Sequence, residues 1–440
     1  MRSLVVALAL VPTLAPAAPP KLTLDQVIAK AIANPRVQMA REDTAAAAAR
    51  VNEADAARLP RIKATAFGTV SPQIICTTPD CTQTDPQNFA LRFDGFFGGA
   101  ELDFLQPIYT FGKISHARSA ARAGLDAQHA LADEAAGDAA ADAARAYWGL
   151  KLARELGYML DDGIDQITEA KANFDKNKKV TVEDRQRVAV LLAEAKAQRA
   201  DALQGEAQAL AGLRAITNTP DADIDDEELK AIERPVPQGP ALNAGAGRRP
   251  QSIAAQSGAR AADELAAFQA AHYFPDFAVV GSAFVARATG VPDPPSAFAN
   301  DPYNRSGVGV VLALQWVIEP WNVKARTDRA RAEANKMKAQ SNLAAIGARF
   351  DAETAAAEAR AAKAKLDATV EGEKAARAWV ASVLQNEAIG TAEAKDLVDA
   401  YIAWFGMKAK WAQAVFQWNV AVVRVGRATG EFRAESLRPR

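Results

Sequence analysis

The chain has 440 residues, of which 49% are hydrophobic and 24% charged, and its formal net charge is −1. That length suffices for two or three domains with large buried surfaces, and the near-neutral balance excludes the basic field of a nucleic-acid binder. Past the N-terminus there is no run of about 18 apolar residues, so β-strands are the only way left to cross a bilayer.

The segment MRSLVVALALVPTLAPAAPP joins Arg2 to an apolar run from Leu4 to Leu14 and the small residues Ala15-Pro16-Ala17. This is the pattern of a cleavable secretory signal over 1–17. A helix is expected over 22–58, opened by Thr23 and Gln26 in a capping box and interrupted at Pro35. Strands are expected over 61–72 and 89–107. In NFALRFDGFFGGAELDFLQP the apolar phase is odd at Phe89, Leu91, Phe93 and Phe97, then even at Leu102 and Phe104, which predicts a bulge at Gly98-Gly99. Between these strands lie the only cysteines, Cys76 and Cys81, in ICTTPDCTQTDPQN. In an oxidising compartment a disulfide closing this loop is favoured over two free thiols, and two sulfurs with no His or further Cys beside them make only half a metal site.

From Ile114 to Asn177 no proline occurs and Ala, Glu, Lys and Arg dominate. Long helices are expected over 113–177 and 182–217, followed by an acidic, then Pro/Gly-rich connector over 218–249. The second half then repeats the first. Pro35 and Pro60 are 25 residues apart, as are Pro250 and Pro275, and Pro107, Lys113 and Thr181 are answered by Pro320, Lys324 and Thr391 at offsets of 213, 211 and 210. The first repeat thus covers 18–217 and the second 250–430, with a helix over 250–272, strands over 275–288 and 306–319, long helices over 324–387 and 392–429, and a tail over 431–440. In the strand SGVGVVLALQWVI, Val308, Val310, Leu312, Leu314, Trp316 and Ile318 alternate with Gly307, Gly309, Val311, Ala313, Gln315 and Val317. Four strands cannot close a barrel, and an open sheet cannot sit in lipid with unpaired edges, so closure must come from other copies. Tyr109, Phe111, Trp316 and Trp321 stand where strands give way to helices, as an interfacial belt or as a packed junction.

In the last helix Leu397, Tyr401, Trp404, Lys408, Trp411, Val415, Trp418, Val422 and Val425 recur at alternating steps of 4 and 3, a coiled-coil seam broken only by Lys408. Asp396 and Asp399 in GTAEAKDLVDA lie off that seam. They favour the positive end of the helix dipole, and they face something other than the helix partner. Catalysis finds no support: His116, His129 and His272 lack metal-ligand spacing, and no phosphate loop or nucleophile elbow occurs. No enzyme activity, cofactor or metal is expected.

The tandem halves, LQPIYTFGK at 105–113, Ile-Gly-Thr at 389–391 and RATG at 427–430 together resemble the TolC-like outer-membrane efflux proteins. The resemblance implies a mainly α fold with transmembrane β, in which each chain gives four strands to a shared, trimeric, twelve-stranded outer-membrane β-barrel and long helices to a periplasmic α-helical coiled-coil tube. It implies a channel in the bacterial outer membrane, a passive exit duct of a tripartite efflux or secretion system. The implied partners are further copies of the chain, a periplasmic adaptor, an inner-membrane pump or ABC exporter, and outer-membrane lipid; no nucleic acid is among them. A periplasmic coiled-coil scaffold without a pore, and a duct dedicated to type I protein secretion, are the alternatives. By the same resemblance Asp396 and Asp399 match the acidic pair of the periplasmic aperture, and Asn177, Lys178, Ile389, Gly390 and Thr391 fall in the adaptor-contact turns. There are two departures. Glu387 and Ala392 replace the tyrosine and arginine that lock the best-known member, with Glu183 or Asp184 opposite, so Glu183, Asp184 and Glu387 are the candidate gate partners. Lys176, Asn177, Lys178 and Lys179 replace the apolar-glycine motif of the first turn.

These readings predict that the protein isolated from the outer membrane starts near Ala18, which N-terminal sequencing would check. The unreduced peptide holding Cys76 and Cys81 should be lighter by two hydrogens than the dithiol form. Two freely alkylating thiols would refute that pairing.

Overall fold

The computed structural model describes residues 21–76, 89–176, 181–225, 227–289, 291, 303–388 and 394–431. The signal segment 1–17, Cys81, Asn177, Lys178, Ile389, Gly390, Thr391 and the tail beyond residue 431 lie outside the described residues, as do the side chains of Cys76 and Glu387.

In chain order the first half holds β1 (Lys21–Leu22), α1 (Leu24–Ile32), α2 (Pro35–Ala56), β2 (Arg61–Cys76), β3 (Phe89–Tyr109), α3 (Lys113–Lys176) and α4 (Val182–Thr217). The second holds β4 (Asp223–Ile224), α5 (Pro240–Gly247), α6 (Pro250–Ala271), β5 (Asp276–Ala288), β6 (Arg305–Gln315), α7 (Pro320–Ala388) and α8 (Ala394–Ala428). Contacts divide the described chain into two units, one from 1–43, 129–254 and 342–440, the other from 44–128 and 255–341.

Local chemistry sets the element ends. The Thr23 hydroxyl accepts from the Gln26 amide and the Gln26 side chain accepts from the Thr23 amide, so the capping box is complete. The helix expected over 22–58 with an interruption at Pro35 is built as two helices. Pro35 has no N–H to continue the ladder, so α1 stops and α2 restarts with that proline in its first turn. Likewise Pro320 opens α7, and residues 316–319, expected as strand, form no ladder. After α4 and α8 the chain turns through left-handed residues, Asn218 (φ 48°) and Gly430 (φ 65°), each just past a buried threonine whose hydroxyl donates to the carbonyl four residues back. A side chain at Gly430 would be strained there, and its Cβ would sit 3.0 Å from the Arg248 carbonyl.

In the second unit the four long strands form one antiparallel sheet, ordered β2-β3-β5-β6. The bulge expected at Gly98-Gly99 is not there: Gly68 faces Gly98 and Phe67 faces Gly99 in unbroken register. It lies further out, where Ser71 faces Gly95 but Gln73 faces Arg92, so the extra residue on β3 shifts the phase between Arg92 and Gly95. The two glycines serve close approach instead. A Cβ on Gly98 would lie 2.6 Å from the Phe96 ring, and one on Gly99 would lie 2.6 Å from the Val285 carbonyl and 2.9 Å from the Phe67 ring. Beneath the sheet the helices of this unit pack on alanines, Ala47, Ala120, Ala123, Ala259, Ala266 and Ala334 being buried. Ion pairs tie Arg118 to Asp55 and Lys338 to Asp263 at 2.7 Å.

In the first unit α1, α3, α4, α7 and α8 share a core around Trp148, Leu150, Leu213, Val415 and Trp418. The stretch 218–249, expected as a bare connector, is part of that core. β4 pairs in parallel with β1, and Leu229 and Ile232 are buried against the helices. The clamp is polar. Fully buried Asn419 accepts from the Ile232 amide at 2.9 Å and donates to the Lys230 carbonyl at 2.8 Å, while the Trp418 indole donates to the Ile232 carbonyl at 2.7 Å.

An Asn419→Ala substitution leaves a buried amide and carbonyl of the connector unpaired, a penalty of about 1–3 kcal/mol for each such group. The Ile232 amide should then exchange with solvent at least tenfold faster by mass spectrometry. Unchanged exchange would show that burial of Leu229 and Ile232 alone holds the connector.

Candidate functional site

The register sorts every strand residue onto one of two faces. On the first face stand the rows Ala66–Ala100–Val285–Ser306, Ala64–Leu102–Ala283–Val308, Ile62–Phe104–Gly281–Val310, Gln106–Val279–Leu312 and Tyr109–Phe277–Leu314. This face is an apolar band with polar residues only toward its ends, and it is uncovered: Val308 is 83% exposed, Leu312 69% and Ile62 64%. Water would oppose such a surface at about 25 cal/mol per Å², so its partner is apolar. The second face carries Lys63–Asp103–Ser282–Gly309, Thr65–Glu101–Phe284–Gly307 and Phe67–Gly99–Ala286–Arg305, with Arg61 beside Leu105 at the inner end. Charge is concentrated on this side, the other face carrying Arg287 and Ser306 at its outer end and the Tyr109 hydroxyl at its inner end. Apolar-out, polar-in alternation is what a membrane barrel requires.

At the strand–helix junction Thr110-Phe111-Gly112 links β3 to α3 through two left-handed residues, Phe111 at φ 48° and Gly112 at φ 93°. Phe111 stacks on Phe274 at 5.3 Å and meets Tyr109 at 4.7 Å, so these rings are a packed junction. Trp316 donates to the Tyr273 carbonyl at 3.2 Å, and Trp321 is 83% exposed, free for an interface. Lys113 binds Asp276 at 2.8 Å and the Phe274 carbonyl at 3.0 Å, whereas Lys324 reaches only Asp328 of its own helix. The two lysines matched in sequence hold different partners.

Along α8 the stripe is the buried face: Leu397, Val415, Trp418, Val422 and Val425 are each 5% exposed or less. Near its start, Leu397 and Ala400 join Ile167, Val188, Val380 and Val383 in a second small core. Asp396 and Asp399, on the same helix, are both exposed. The candidate gate acids of α4 are engaged in its own first turn. Asp184 takes the Thr181 hydroxyl at 2.7 Å while its amide donates back to that oxygen at 3.1 Å, and Glu183 pairs with Arg187 at 2.8 Å.

Polar groups that the sequence did not single out lie deeper. Lys151, 6% exposed, binds Asp225 at 2.6 Å and the Glu227 carbonyl at 2.6 Å, and the Tyr147 hydroxyl donates to the other Asp225 oxygen at 2.8 Å. Burial, then the bond to Asp225, pushes the Tyr147 phenol far above its usual range. Arg249 at the start of α6 bridges Glu134 and Asp351, and Arg427 bridges Glu134 and Asp138. Burial holds Asp138 above the usual carboxylate range against the pull of Arg427. Only burial on folding distinguishes these residues from the many solvated charges of the helices. Among the described residues no cluster of His, Cys, Asp or Glu could hold a metal, and no helix is long and apolar enough to cross a membrane. His116 pairs with Glu264 at 2.7 Å, and His272 donates to the Phe268 carbonyl at 2.9 Å.

Solved structures share this architecture over most of both chains. The open state of the Neisseria gonorrhoeae MtrE outer membrane channel is 19% identical, covering 92% of this chain and 88% of that one with a TM-score of 0.75. The Campylobacter jejuni CmeC outer membrane channel is 14% identical over 98% and 95%, with a TM-score of 0.74. The outer membrane protein VceC of Vibrio cholerae is 17% identical over 92% and 96%, with a TM-score of 0.72. No protein-family model and no curated protein matches the chain. The fold is that of an outer-membrane channel protomer, mostly helical with a few long strands, as the TolC-like resemblance implies.

Lys151→Met strands the Asp225 carboxylate in the core. Breaking a buried pair from one side costs about 3–5 kcal/mol, and replacing both partners costs less. Urea unfolding followed by tryptophan fluorescence should show the single variant less stable than Lys151→Met/Asp225→Asn. The reverse order would mean that the pair carries no weight.

Proposed function

We propose that this chain is one protomer of an outer-membrane exit duct, a passive channel from the periplasm to the exterior. The observation that carries the reading is the two-faced sheet: an uncovered apolar band on one side, charge on the other, and two unpaired edges at β2 and β6. In lipid those edges must pair with further copies. We read the repeated order of helix, two strands and two long helices as an internal duplication, and the assembly as a trimer with a twelve-stranded barrel and a periplasmic helical tube. Asp396 and Asp399 then converge from each copy on the aperture, where a ring of carboxylates favours cations. Glu183, Asp184 and Glu387 remain candidate gate partners, although the first two are already held by Arg187 and Thr181. The turns around Asn177 and Lys178 and around Ile389, Gly390 and Thr391 are the proposed contacts for a periplasmic adaptor, which couples the duct to an inner-membrane pump or ABC exporter. Transport rather than enzymatic chemistry is the proposed activity. The names of the structural neighbours as outer-membrane channels support the location.

Reconstituted in a planar bilayer, the protein should conduct with cation preference and be blocked by trivalent cations. Asp396→Ala/Asp399→Ala should weaken that block at least tenfold and lower the preference. The oligomer should survive, because the buried stripe is untouched, and cross-linking should build to three chains and stop. Wild-type block in the double variant would reduce the aspartates to helix-end charges, and a folded monomer in detergent would refute the barrel.

A further inference from the structure

The charged face of the sheet carries a feature that neither barrel closure nor cation preference uses. Phe67, Phe97 and Phe284 stand on that face, among Lys63, Thr65, Thr69, Glu101, Asp103 and Arg305. Phe67, Phe97 and Tyr303 form a connected group, Phe67 meeting Phe97 at 5.1 Å and 62° and Phe97 meeting Tyr303 at 5.4 Å and 80°, while Phe284 stands on the same face two strands along from Phe67. The Arg305 guanidinium lies 5.1 Å from the centre of the Phe284 ring.

Glycines set the attitude of two of the rings. A Cβ at Gly99 would come within 2.9 Å of the Phe67 ring, and one at Gly307 within 2.8 Å of the Phe284 ring. Each ring therefore lies across the glycine of the neighbouring strand and turns its other face away from the sheet. Phe67 is 43% exposed in that position. Large apolar rings shown to water are unfavourable by about 25 cal/mol per Å², and on this side no lipid relieves them. Covering glycine backbone accounts for two of the rings but not for Phe97 or its edge-on contacts with Phe67 and Tyr303.

Resting on the channel reading, which makes this face the lumen wall, we propose that the patch is a binding surface for aromatic solutes in transit. Flat rings against the wall offer offset and edge-to-face stacking without narrowing the passage. The patch lies toward the outer ends of the strands, next to the row that ends in Arg305. An aromatic solute is held there briefly before release, and a solute of equal charge without rings is not.

Channel block in a planar bilayer tests this with two probes of one charge, tetraphenylphosphonium and tetraethylammonium. The wild type should be blocked more strongly by the aromatic cation. Phe67→Leu/Phe97→Leu/Phe284→Leu keeps apolar cover over the glycines and should weaken that block about fivefold or more, roughly 1 kcal/mol, leaving tetraethylammonium block and potassium conductance unchanged. Replacing the same three residues with Tyr should retain the block, which excludes misfolding as the cause of the loss. Equal block in wild type and leucine variant, with normal conductance, overturns the aromatic wall and leaves the channel intact. No conductance from the wild type overturns the channel reading, and this proposal with it.

Discussion

The hydrogen bonds that the sheet leaves unmade govern the rest of this molecule. β2 and β6 are edge strands of 16 and 11 residues, each paired with a strand on one side only among the described residues, so the row of backbone groups on the other side faces outward from the sheet. Water can satisfy such a row, but hydrocarbon cannot, and each unsatisfied group there costs several kcal/mol. The apolar band keeps the sheet from facing water, while the open edges keep it from facing lipid alone. On the proposed channel reading, pairing between copies meets both demands, and the fold of one chain would be completed by its neighbours. The same demand orders the side chains. Once the edges are joined, one face is wholly outside and the other wholly inside, and the alternation of β6 places apolar and small residues accordingly.

The helices meet a different constraint. Their cores are rich in alanine, with Ala143, Ala144, Ala355, Ala356 and Ala359 almost fully buried. Small side chains let backbones approach closely but remove little apolar area each. Polar clamps supplement the packing: Asn419 and Trp418 hold the connector, Lys151 holds Asp225, and Arg249 and Arg427 gather the acids of α3 and α7. Each clamp crosses between segments distant in sequence, and each is sheltered from water. Sheltered pairs of this kind are costly to break from one side and specify one arrangement of helices over near-equivalent slips of an alanine seam.

How much of this was legible follows from which signals are periodic. The alternation of β6, the Thr23 capping box and the stripe from Leu397 to Val425 could be read because each repeats at the spacing of its element. The apolar pattern of β3 shows that a phase change occurs but not where it falls, and Gly98-Gly99 is the more conspicuous of two glycine sites. The register shows that the extra residue lies between Arg92 and Gly95, and the glycines accommodate the rings of Phe96 and Phe67. The connector was read as a linker because its anchors are on another helix: Asn419 has no mark of its own, and Trp418 was counted as apolar when its indole N–H is what matters. The local use of Asp184, in the first turn of its own helix with Thr181, follows from the Thr181-x-x-Asp184 spacing and stands beside the candidate gate role of Glu183 or Asp184.

A last step concerns how α8 serves two tasks without conflict. Its buried stripe and the aspartates occupy different sides of one helix, since successive residues are rotated by about 100°. Asp396 and Asp399 are neighbours at i and i+3, while Leu397 and Ala400, one place along from each, are the residues that sink into the second small core. Bringing like charges from several copies together is unfavourable, by roughly 1 kcal/mol per pair at 4 Å in water and more where water is thin. On the proposed reading that repulsion would act where α8 is held by the second small core, through Leu397 and Ala400, with Val398, Tyr401 and Trp404 packed against that core. Further along, Val415, Trp418, Val422 and Val425 fix the same helix in the main core. If the aspartates do form the proposed aperture, charge would strain or spread the first turns of α8 while the main core holds the rest of the helix, which would place movement of that aperture at the start of α8.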